Sequence, residues 1–179
     1  MIVKLKSFML FKQEVDKLAE SKEFKDWKGK HKDFYLAYGF LSFGEKSEWQ
    51  IGYYNKNTDK ITSFTIGDSI VTNPEENVFK EEHHVVKELL LDKLKINLDQ
   101  ALSIAEKLQK EKYKNDPPLK KILIIQNLDI GQVWNITFVT ATLKTLNVKV
   151  DSETGEVLEH KADSILDFAK QQDEQNDDR

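Results

Sequence analysis

The side chains in this chain that could hold a metal are few. His83 and His84 adjoin, and Glu88 stands four positions beyond His84. On a helix that spacing puts His84 and Glu88 on one face, with Glu81 three residues before His84. Glu81 to His84 satisfies Glu-x-x-His, but the motif occurs once, and carboxylate-bridged di-metal bundles need it on two helices. His-Glu-x-x-His is absent. A metal-assisted hydrolase using His83, His84 and Glu88 therefore ranks last among the readings considered, behind exposed histidines in a charged linker. His31 and His160 are isolated and read as surface residues. No metal ligand is assigned.

Covalent and phosphate chemistry fare no better. The chain has no cysteine, which excludes a thiol nucleophile, a zinc-thiolate or iron–sulfur site and a disulfide scaffold. Ser42, Ser47 and Ser63 have no histidine nearby in sequence, and Gly-x-Ser-x-Gly is absent. Neither glycine-rich phosphate loop occurs among the seven glycines. Adjacent acids such as Glu81 and Glu82 would face opposite sides of a strand. No catalytic residue and no cofactor-binding residue is assigned, and the chain is expected not to be an enzyme.

Charge narrows the partners. The net charge of −4 is a property of the end of the chain. Residues 163–179 hold six acids against Lys170 and Arg179, so the body is neutral. That argues against nucleic acid. Arg179 is the only arginine, so no guanidinium clamp is available in the body. Lys22, Lys25, Lys28, Lys30 and Lys32 interleave with Phe24 and Trp27, but Glu23, Asp26 and Asp33 offset them. A solvated face beside two core aromatics is expected there, rather than a base-stacking patch. The apolar run Phe8–Phe11 is too short for a secretory signal, and no run approaches the ~18 residues of a membrane span. The expectation is a cytoplasmic chain with no membrane insertion.

Periodicity supplies the elements. Phe8, Phe11, Val15 and Leu18 predict a helix over 8–20. Ser21 is placed to cap a second short helix carrying Phe24 and Trp27 and ended by Gly29. Strands are expected over 33–43, 49–55 and 61–66, with a connection over 67–80. Residues 78–94 suit either helix or strand. Asn97 and Gln100 read as a capping box for a helix running to about Lys112, stopped by Asp116-Pro117-Pro118. Strands follow over 121–128, 133–140, 143–151 and from 156. A last amphipathic piece carries Ile165, Leu166, Phe168 and Ala169.

Helix then meander occurs twice. Residues 54–61 align without a gap on 150–157, placing Thr58 on Thr154 and Asp59 on Gly155. Gly155 and Asp59 are expected at positive φ. Leu98, Ala101 and Ala105 on the helix, with Val150, Asp151, Thr154, Gly155 and Val157 at the hairpin, resemble the PepSY domain family over about residues 96–160. The resemblance implies a cystatin-like layout, with a helix across a curled antiparallel sheet, and a role in binding or inhibiting peptidases, usually outside the cytoplasm. The first half looks like a diverged copy.

The expected architecture is α+β, two tandem cystatin-like units: residues 1–72, residues 73–170, and an acidic tail over 171–179. Phe34, Leu36, Tyr38 and Phe40 are expected on one face of the first strand, with Tyr35, Ala37, Leu41 and Phe43 on the other. Trp49, Ile51 and Tyr53, and in the second half Trp134, Ile136 and Phe138, extend an aromatic face. Mutual burial of the two units is the first explanation of so many aromatics, and an exposed groove for a peptide or protein is the second. The function expected is a non-enzymatic binding module, peptidase-interacting or peptidase-inhibiting as the resemblance implies. A structural protein pairing through its sheets into a homo-oligomer is the alternative.

Overall fold

The computed structural model describes residues 11–44, 47–78 and 85–164. It is α+β, with helices packed on one large antiparallel sheet. Helix α1 (Phe11–Glu20) buries Phe11, Val15 and Leu18 along one stripe. Ser21 then turns the chain: its hydroxyl accepts from the Phe24 N–H at 3.1 Å and caps α2 (Lys22–Lys30). Helix α3 (Leu98–Lys112) starts on the capping box expected of Asn97 and Gln100, each bond at 2.9 Å.

The strands are β1 (Tyr35–Ser42), β2 (Trp49–Asn55), β3 (Lys60–Ile66), β4 (Ile70–Thr72), β5 (Glu76–Asn77), β6 (Pro118–Leu128), β7 (Gly131–Thr140), β8 (Lys144–Asp151) and β9 (Val157–Ser164). Their order is β4-β3-β2-β1-β6-β7-β8-β9, with β5 on β3. Two meanders thus join edge to edge where β1 pairs antiparallel with β6. Strands β4 and β5 fall inside the stretch expected to be a plain connection. The two meanders do not bury each other face to face as first expected; they extend one another.

The described helices all use the same face. Phe11 meets Trp49 of the first meander at a ring distance of 4.9 Å and Trp134 of the second at 6.5 Å. Trp134, Ile136, Phe138, Val148 and Val150 are fully buried with Ala101 and Ala105 of α3. The Trp134 indole N–H donates to the Ile96 carbonyl at 2.8 Å, which fixes the entry to α3. Ile51 and Phe64 carry the same core into the first meander.

Two sequence expectations are corrected here. The pairing of β1 shifts between Leu36 and Tyr38, a β-bulge. One extra residue reverses the alternation, so Leu36 and Leu41 share the core while Tyr38 and Phe40 turn to the opposite face. Strict alternation had put Leu36, Tyr38 and Phe40 together. Second, Thr58 lies between β2 and β3, whereas Thr154 lies between β8 and β9. In element order these are the second and third connections of their meanders, so the gapless turn alignment does not superpose equivalent hairpins.

Residues 85–90 carry no regular structure, and a single 3₁₀ turn spans Leu91–Lys93. The Leu89 N–H donates to the Leu36 carbonyl of β1 at 2.8 Å, and a side chain supplies the next pair of bonds. Gln132 accepts from the Leu90 N–H at 2.8 Å and donates to the Leu90 carbonyl and to Ser152, each at 3.1 Å. A buried amide here does the work of a strand partner.

Candidate binding face

The face of the sheet away from the helices is built by small residues. Gly39 points into the core because a Cβ there would overlap the Phe11 ring and Ile125. Its neighbours Tyr38 and Phe40 therefore point outward. On β2, Gly52 leaves room for the Tyr38 ring, which a Cβ would strike. Burial pushes the Tyr38 phenol above its usual range; the Ser63 hydroxyl bonded to it opposes that, and the Glu76 charge adds to it.

Next to this ring lies a cleft with a polar floor. Gln50 donates to the Ser63 hydroxyl at 2.8 Å, and Asn73 donates to Ser63 at 3.0 Å and to Thr65 at 3.2 Å. The Asn73 backbone N–H donates to the Ser63 carbonyl at 2.8 Å. Phe40, Ser42, Pro74, Glu48 and Glu76 complete the lining. Towards the second meander, Phe40 pairs with Ile124 and Ser42 with Ile122, all half-buried. Beyond them Asn147 donates to Asn135 at 2.6 Å and to Thr137 at 2.9 Å. The face therefore sets a narrow apolar strip between two amide and hydroxyl networks.

Ser63 is held by amides and a phenol, with no imidazole to take its proton. Among the described residues no three His, Cys, Asp or Glu side chains converge on a metal position. His83, His84 and Glu81 lie outside the described residues. Glu88 is exposed, and its backbone carbonyl accepts from Asn127 at 2.8 Å.

The other sequence candidates have structural partners. His31 stacks on Trp27 at 4.8 Å and 11°, with Nδ1 2.7 Å from the Trp27 carbonyl. His160 meets the Tyr113 hydroxyl at 2.7 Å. Both are half-buried rather than free at the surface. In the lysine-rich stretch, Phe24 packs on Tyr53 and Phe64, and Trp27 on Phe34 and Phe64. The Lys28 ammonium folds inward onto the carbonyls of His31, Lys32 and Phe34, and burial pushes its pKa down. The aromatics are core, as the charge pattern suggested. In the sequence Ser42 and Ser63 stand out only as unsupported nucleophiles and Phe40 only as part of an aromatic face, although Gln50 and Gly52 flank Ile51, and Ser63 and Thr65 flank Phe64, with the period of an outward face. Asn73 fell in the supposed connection.

Residues 95–161 match the family described as PepSY: Peptidase propeptide and YPEB domain. The match runs from just before α3 into β9, one helix with its four-stranded meander. A crystal structure of a "putative lipoprotein" from Clostridium difficile 630 resembles the chain at a TM-score of 0.53 and 20% identity, covering 79% of this chain and 90% of that one. That likeness is one of fold. No curated protein matches. No helix among the described residues is long and apolar enough to cross a membrane.

Proposed function

We propose that this chain is a non-catalytic binding module whose partner is a peptidase, held outside the cytoplasm. The observation that carries the reading is the PepSY match over α3 and the second meander, in a family described by peptidase propeptides. The open face supports it. An apolar strip flanked by amides and hydroxyls has the make-up of a protein interface, with a small apolar centre and a polar surround. The extracytoplasmic placement, in place of the cytoplasmic expectation, is supported by the family and by the lipoprotein description of the structural neighbour.

Self-assembly through sheet edges is less favoured. The β9 edge carries Glu159, Lys161 and Asp163, and β4 has only three residues, both of which blunt edge-to-edge pairing.

The test is titration of the intact chain against a panel of thermolysin-type metallopeptidases, reading binding by interferometry and inhibition with a fluorogenic substrate. A saturable complex with a Kd of about 10 μM or tighter is expected for at least one of them. No complex with any of them would overturn the reading.

A further inference from the structure

We propose that the cleft on the open face takes a lysine or arginine side chain of an extended peptide segment. This rests on the binding-module reading and names the chemistry of its partner. Glu48 and Glu76 both line the cleft, and no lysine or arginine does. Neither carboxylate forms an ion pair among the described residues. Gly67 keeps the space that the Glu48 carboxylate occupies, since a Cβ there would overlap it.

The floor is set up for a donor. Gln50 and Asn73 give their amide N–H groups to Ser63 and Thr65. Their side-chain oxygens accept no hydrogen bond from the described residues, so the cleft offers acceptors in excess of donors. Ammonium and guanidinium groups carry donors only. Phe40 forms one wall, and a cation over an aromatic face within about 6 Å gains further attraction. Beside Phe40, the half-buried Ile124 on β6 offers an apolar seat for a neighbouring residue of the same extended segment. A bare divalent metal fits less well, because no third carboxylate or imidazole joins the two acids.

The experiment uses the intact chain and two fluorescein-labelled hexapeptides, one with alternating valine and lysine and one with alternating valine and glutamate, read by anisotropy. The lysine peptide is expected to bind and the glutamate peptide not. The double variant Glu48→Gln, Glu76→Gln is expected to weaken lysine-peptide binding roughly tenfold, with an unchanged circular-dichroism melt. Phe40→Leu, which keeps both charges, is expected to weaken it less. No binding of the lysine peptide, equal binding of both peptides, or full affinity in the double variant would each overturn the proposal. Peptidase binding is measured on the same double variant. A peptidase complex that survives while the cleft variant behaves like the parent sinks the cleft and leaves the binding module. Lysine-peptide binding by a chain that captures no peptidase keeps the cleft and sinks the peptidase reading.

Discussion

Gly155 has φ +79° and Asp59 has φ +57°, as their turns required. At Gly155 a Cβ would also stand 3.3 Å from Ile104 and 3.4 Å from Ile96. Gly155→Val should therefore destabilise by roughly 1–3 kcal/mol in urea melts, through a strained left-handed backbone and crowding against α3. Asp59 tolerates its φ better, and its carboxylate accepts from the Tyr54 hydroxyl. Asp59→Gly relieves the backbone but removes that acceptor, so it should stay within about 1 kcal/mol of the parent. Asp151 opens the β8–β9 turn. Burial, the largest single influence, pushes its carboxyl up, but the Thr154 and Glu153 N–H groups and the Thr154 hydroxyl together hold it below its usual range. A depressed folded-state pKa gives stability that is present above the unfolded value of about 3.9 and lost as pH falls through the folded value. Asp151→Asn should lower stability at neutral pH and flatten the acid limb of a stability–pH curve, so that variant and parent converge as pH falls below about 4. These turn and cap positions were legible because their chemistry is local. His31 was readable only in part, and His160 not at all, since its partner Tyr113 is 47 residues away.

At the scale of elements, periodicity located α3 and the main strands to within a few residues and failed where an element broke its own period. The bulge in β1 did this, inverting Tyr38 and Phe40 and so concealing the open face. Strands β4 and β5, of three and two residues, are too short for any periodic signal. Residues 85–90 defeat pattern reading for another reason: their partners are scattered and distant, among them the Leu36 carbonyl, the Tyr35 hydroxyl, the Asn127 amide and the Gln132 side chain, 42 residues on. The bulge also makes a mutational forecast. Gly39 sits beneath Phe11 against Ile125 with no space for a methyl group. Gly39→Ala should cost about 1–3 kcal/mol by overpacking and should lower the urea midpoint without changing the slope. Parent-like stability would mean that α1 does not press on β1 as described.

The sheet as a whole is a mirrored sequence of strands, with β1 and β6 at its centre and four strands in line on each side of that boundary. Each half begins with helix and continues as a meander, and we propose that both descend from one such unit, the second being the one that matches PepSY. In element order Thr58 then corresponds to the β7–β8 connection around Thr142, not to Thr154. Family resemblance and fold class were legible because α3 and its hairpin keep a local signature. The edge-to-edge joining was not, since nothing in β1 or β6 alone specifies the other. With every described helix on one face, we propose the opposite face as the surface that meets a partner. Hydroxyl-radical footprinting of the intact chain, free and mixed with an active-site-blocked thermolysin-type metallopeptidase, tests that most directly. The account predicts that Phe40, Ile122 and Ile124 lose reactivity in the complex while Trp27 on the helix side keeps it. A complex that leaves those three residues as reactive as in the free chain would contradict it.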